Sequence, residues 1–365
     1  MRHDVSSCDK RACYTLPYLQ LVLTAGADTV TIDFPDNVLL HIFHFVRVKY
    51  LDTKCLHRTR LPSGVAIYHY GYNVRWCLAW WHPFVHVCQK WRYIIFASPR
   101  FLNLRLVYVP RTRVELIGIW PPFPIIIANN DLSLVPEDHN FDAATVHHNR
   151  VREIDLYLTS SQLQRFASAM QEQFPALIHL KLKLAGSPAQ ILPDGFLVGS
   201  APCLQSLTLR CVPFPGLPEL LLCATDLVSL TLENIPHTGY ISPEAFVTAL
   251  AVLANLKALT IQFGSPLSRP DQRSRPPPPT RTVLPALTRF MYQGVGEYLE
   301  DFVARIDAPL LDSMRVIFHP SQVTSDTPEL ALFMRRSETL MAPDEAHDHS
   351  GISVNFPPQT GDFDE

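Results

Sequence analysis

An apolar triplet with the spacing L-x-x-L-x-L recurs seven times between Val151 and Val316. The copies are Val151-Ile154-Leu156, Leu177-Leu180-Leu182, Leu204-Leu207-Leu209, Leu227-Leu230-Leu232, Leu256-Leu259-Ile261, Leu287-Phe290-Tyr292 and Leu311-Met314-Val316. Their first members lie 26, 27, 23, 29, 31 and 24 residues apart. A unit of this length is a short strand plus a helix or turn. It cannot bury its own apolar face, so neighbours must stack. The expected fold class is therefore α/β, with a solenoid arc of strand-helix repeats over 101–336. Phe101-Leu104-Leu106 has the same spacing, and Phe123-Ile126-Ala128 reads as a degenerate copy.

Helix signals alternate with these strands. Ser161 opens one apolar-periodic stretch, and Ser242-Pro243-Glu244 opens another with a capping serine, a first-turn proline and an early acid. Glu297 to Ile306 and Pro328 to Arg335 read as further helices on the outer face. The segment 268–281 is basic and proline-rich, which predicts an exposed, extended loop. The stretch 337–365 carries acids without Lys or Arg and is expected to be a disordered tail.

Ahead of the repeats, two helices are expected. Pro35 suits a first helical position and Asp36 complements the positive helix N-terminus. Val38, Leu39, Ile42, Phe43 and Val46 then follow at helical spacing. A second helix begins near Pro83, with Phe84, Val87, Cys88, Trp91, Ile94 and Ile95 recurring every three or four residues. Residues 47–78 between them show no clean period and read as an irregular excursion. The N-terminal stretch 1–30 is poorly defined. Its apolar run Tyr14–Leu23 imitates a signal peptide, but Asp4, Asp9, Pro17 and Gln20 argue against one.

Composition narrows the function. A net charge of −3 gives no broad attraction to nucleic acid or anionic lipid, so neither is an expected partner. Eight scattered cysteines without a C-x-x-C pair suggest buried thiols and a reducing compartment, cytoplasmic or nuclear. No metal or cofactor is expected. His82 with His86 and His41 with His44 have helical spacing, yet neither pair carries the glutamate of a zinc-protease helix or a third ligand at a known spacing. Nucleophile elbows and phosphate-binding glycine loops are missing from the sequence, so no catalytic residue and no enzyme activity are expected.

The residues Phe34-Pro35-Asp36, Leu39-Leu40, Ile42-Phe43 and Val85-His86-Val87-Cys88-Gln89-Lys90-Trp91-Arg92 resemble the F-box motif. With Ala97–Leu106, Trp120-Pro-Pro-Phe-Pro and the repeats, the chain resembles the F-box/leucine-rich-repeat proteins expanded in mushroom-forming fungi. The resemblance spans about residues 31–335 and implies an F-box over 31–100 followed by a leucine-rich-repeat domain. It implies a substrate-recognition adaptor of a cullin–RING ubiquitin ligase, partnered by a Skp adaptor and, through it, cullin. Carried over by match to the motif, the adaptor contacts are Phe34, Pro35, Leu39, Ile42, Phe43, Val87, Cys88 and Trp91.

The residues between triplet members face the other side of each strand. Among them Tyr157, Lys181, Lys183 and Arg210 mix an aromatic with cations and are the expected contacts for an unknown protein target. The alternative functions are a repeat scaffold outside any ligase, or a truncated, non-functional member of the family, since the chain ends soon after its last repeat.

Overall fold

A computed structural model of the chain describes residues 34–54, 56–60, 66–70, 80–104, 106–108, 121–129, 146–186, 191–199, 201–265, 280–318, 327–337 and 351–355. The fold is mixed α/β and is organised by a ten-stranded sheet. Its strands are β3 (Leu106–Tyr108), β4 (Ile125–Asn129), β5 (Val151–Leu158), β6 (His179–Leu184), β7 (Ser206–Arg210), β8 (Ser229–Ile235), β9 (Ala258–Phe263), β11 (Arg289–Gly294), β13 (Ser313–Phe318) and β14 (Gly351–Asn355). They lie side by side in chain order and every neighbouring pair is parallel.

Parallel neighbours require a crossover, and among the described residues α-helices lie in five of the nine connections. These are α3 (Ser160–Ala169), α4 (Leu217–Cys223), α5 (Pro243–Leu250), α6 (Gly296–Val303) and α7 (Pro328–Arg336). From α4 onward they stack on one another in chain order. Two short strands, β10 (Thr282–Val283) and β12 (Ile306–Asp307), form a separate parallel pair.

The triplets make the core. Every member of the seven triplets is buried, in one continuous cluster that also takes in Leu163, Phe166, Leu220, Phe246 and Phe302 from the helices. Burial alternates strictly along β6, β9, β11 and β13. The register holds across the array: Ile154, Leu180, Leu207, Leu230, Leu259, Phe290 and Met314 lie in one row.

The degenerate copy is displaced. Ile127, not Ile126, pairs with Ile154, after a register shift at Ile125/Ile126. Ile125 to Ala128 are all buried, so apolarity alone carries no alternation from which to read the register. Phe101 is exposed in a turn and the strand begins only at Leu106.

Other local details also differ from expectation. Thr159 rather than Ser161 caps α3, through a reciprocal box with Gln162. Ser242 caps α5 as expected. Cys203 and Cys223 are exposed and Cys211 is half-buried, so these thiols are not core residues: Cys203 lies one place ahead of the inward-facing Leu204, and Cys223 lies between inward-facing Leu221 and Ala224. The helix N-terminus of α7 is capped from a distance, with the Glu300 carboxylate accepting from the Glu329 and Leu330 amides at 2.8 and 3.0 Å.

At the N-terminal side, α1 (Asp36–Lys54) runs well past Val46, and β1 (Leu56–Arg60) pairs antiparallel with β2 (Ala66–Tyr70). Much of the expected irregular excursion is therefore regular structure. The second helix, α2 (Gln89–Ala97), follows a single 3-10 turn at Phe84–His86. A second apolar cluster joins Leu39, Phe43, Trp80, Trp81, Phe84, Val85, Ile94 and Ile95 to Leu102, Leu104 and Phe123. Phe123 lies two residues ahead of β4 and Leu104 two residues ahead of β3, so the helical unit packs beside the first part of the sheet. The stretch expected to be a disordered tail contains β14, which pairs with β13. Residues 1–33 and most of the loop 268–281 lie outside the described residues.

Candidate functional site

Two surfaces bring together the candidate residues. On α1, two apolar stripes run side by side. Leu39 (2% exposed) and Phe43 (0%) face inward, where the Phe43 ring sits 5.6 Å from Phe84 and 5.2 Å from Trp91. Val38 (38%), Ile42 (40%) and Phe45 (61%), spaced i, i+4, i+7, face outward, and Val48 extends the same stripe. Phe34 and Val87 are exposed as well.

Lys90 ties α2 to the start of α1, and two further polar contacts are local to α2 and the turn before it. Lys90 Nζ donates to the Phe34 carbonyl at 2.9 Å and lies 3.5 Å from Asp36 Oδ1. Arg92 Nε donates to the Val85 carbonyl at 2.9 Å, and Cys88 Sγ accepts from the Trp91 amide at 3.5 Å as the N-cap of α2.

This geometry divides the eight motif residues. Phe34, Pro35, Ile42, Val87 and Cys88 are exposed, and Trp91 is half-buried. Leu39 and Phe43 are not surface contacts. Their side chains are core, because the aromatic cluster beneath α1 claims that stripe. Val38 and Phe45 join the outward face instead, which helical spacing alone does not reveal because both stripes are apolar.

The second surface is the open face of the sheet. Tyr157, Lys183, Arg210 and Glu233 form one row across β5 to β8, and Asp155, Lys181, Thr208, Thr231, Thr260, Met291 and Arg315 form the next. All of these side chains are half-buried or exposed. The four predicted target contacts therefore share neighbouring strands. Two of their cations are already committed. Lys181 Nζ lies 2.8 Å from Asp155 Oδ2, and Arg210 Nε lies 3.8 Å from Glu233 Oε2. Lys183 has no carboxylate partner at ion-pair distance among the described residues. Partial burial, then repulsion by Lys181, lowers its pKa below the ordinary lysine value.

Tyr292 and Tyr298 donate to the Val295 and Ile241 carbonyls, and burial pushes both phenols well above their ordinary pKa. The His82 and His86 rings are 5.0 Å apart, and partial burial, then His86, lowers the His82 pKa. Among the described residues no group of three or more His, Cys, Asp or Glu side chains could hold a metal ion. Among them, too, no helix is long and apolar enough to cross a membrane.

Comparison with protein-family models gives no match, and comparison with curated proteins gives none either.

Proposed function

We propose that the chain is the substrate-recognition adaptor of a cullin–RING ubiquitin ligase: an F-box, α1 with α2, followed by a leucine-rich-repeat solenoid. In this reading the F-box docks on a Skp adaptor and the open sheet face holds the target protein. The chain itself makes and breaks no covalent bond, and it works in the cytoplasm or nucleus.

The observation that carries the reading is the outward stripe Val38, Ile42, Phe45 and Val48; Phe34 and Val87 are exposed as well. Exposed apolar groups are unremarkable one at a time. Contiguous ones at helical spacing mark a face that another apolar surface covers. Their position on the helix that resembles the F-box supports the adaptor over other helical partners. The chain-ordered parallel sheet with its buried triplets supports the leucine-rich-repeat half.

The test is co-purification of the full chain with recombinant Skp adaptor. The informative variant is Ile42→Asp with Phe45→Asp, because both side chains are outside the core and the substitutions leave the fold in place. Stoichiometric recovery by the parent and loss by the folded variant is the expected result. A folded parent that recovers no adaptor overturns the ligase reading and leaves a repeat scaffold.

A further inference from the structure

The open sheet face is not electrostatically uniform. On β5 to β8 its cations sit among acids: Lys181 is paired with Asp155, Arg210 approaches Glu233, and Glu153 is on the same face. On β9, β11 and β13 the outward positions contain no carboxylate at all. They do contain Arg289 and Arg315.

Neither arginine side chain has a hydrogen bond, ion pair or ring contact among the described residues, and Arg315 Nε is buried without an acceptor. A guanidinium presents its donors in a fixed fork suited to carboxylate or phosphate oxygens. A buried guanidinium donor with no acceptor is a group waiting for an anion.

We infer that this C-terminal half of the face, centred on Arg289 and Arg315, binds an extended acidic peptide segment of a partner protein. The inference rests on reading the open face as the protein-holding surface, but not on adaptor docking.

Register supplies the geometry. Arg289 pairs with Ser313, so Arg315 lies one strand over and two residues further along. That places the two backbones about 8 Å apart along a diagonal. Alternate side chains of an extended peptide repeat at about 7 Å. Two acids separated by one residue can therefore meet both arginines at once, each through a bidentate pair.

The surroundings fit a peptide better than a nucleic acid. Gln293 presents a half-exposed amide able to pair with peptide backbone, Gln262 donates its amide N–H to Met291 Sδ at 3.7 Å and keeps its carbonyl as an acceptor, and Met291 and Ile317 offer apolar contact. This half has no outward aromatic on which a base could stack. Two cations on a chain of net charge −3 are also too few to hold a phosphate backbone.

The experiment is fluorescence anisotropy of the full chain with a labelled twelve-residue peptide alternating aspartate and threonine. An otherwise identical asparagine–threonine peptide and a single-stranded oligonucleotide serve as competitors. Saturable binding of the acidic peptide is expected. Arg289→Gln with Arg315→Gln should weaken it about tenfold or more, as loss of two charge-assisted pairs requires. Arg289→Glu alone, on an exposed side chain that the fold does not need, should weaken it at least as much as Arg289→Gln alone. Lys181→Gln with Lys183→Gln should change it less than about twofold, because those cations already have acids near them.

Equal binding of the neutral peptide, tighter binding of the oligonucleotide, indifference to the arginine substitutions, or no binding would each overturn the inference. None of these outcomes involves the Skp adaptor, so failure here is separable from failure of the ligase reading.

Discussion

The repeat array and the helical unit treat their apolar residues in opposite ways. In the array every triplet member is buried, and the residues between them are left to water. In α1 one apolar stripe is buried and an equally apolar one beside it is exposed. Stacking satisfies the array internally, since each strand covers its neighbour. In the helical unit, Val38 and Ile42 of the second stripe remain more than a third exposed. Periodic apolarity in the repeats reports the fold, whereas the surplus apolarity in α1 is what the proposed docking would use.

Four substitutions test this contrast. The largest effect is expected at Phe43→Ala, which empties the centre of the aromatic cluster. It should cost about 3–5 kcal/mol in chemical denaturation and selectively loosen the helical unit. Leu230→Ala, in the middle of the array, should cost about 2–5 kcal/mol. Because every strand is hydrogen-bonded to the next, its loss should appear in one cooperative transition of the array. A separate early transition in the Leu230→Ala protein would mean the repeats do not support one another.

Glu300→Ala removes the distant cap of α7 and should cost about 1–2 kcal/mol. Hydrogen exchange should show the loss at Glu329 and Leu330 first. No change at those amides would contradict the capping role.

The smallest effect is expected at Lys183. Its pKa is lowered, mainly by burial and then by Lys181. A lysine with a depressed folded pKa opposes folding at every pH below that value. The penalty fades as pH rises through the window between the folded and unfolded values. Lys183→Gln should therefore raise the Tm at neutral pH, by on the order of 1 °C. That difference should shrink as the pH enters the lysine range. A lower Tm at neutral pH would reverse the sign and refute the argument.

Much of the array was legible in the sequence because strand alternation and repeat period agree at the same residues. Where they disagree the reading slipped. Ile125 to Ala128 are uniformly apolar, so the one-residue offset of β4 had no sequence signal. In β14, Ile352 and Val354 alternate over too short a span to stand out from an acidic stretch, and β13 is what makes them a strand. The cap at Glu300 spans about thirty residues and leaves no local pattern.

The helical surface was half legible. Motif spacing located α1 and α2, but burial separated Leu39 and Phe43 from Ile42, and it added Val38 and Phe45. The four proposed target contacts share neighbouring strands, yet the pairing of Lys181 with Asp155 and of Arg210 with Glu233 depends on which residues lie opposite across strands. That information belongs to the register and not to any one repeat.

The most direct test of the contrast is amide hydrogen exchange of the full chain, alone and with recombinant Skp adaptor. Added protection confined to residues 36–48 and the start of α2, with β5 to β13 unchanged, is the predicted result. Unchanged exchange in α1 while the adaptor protects the sheet face would contradict the account, because it would place the docking surface in the region whose apolar residues are already covered.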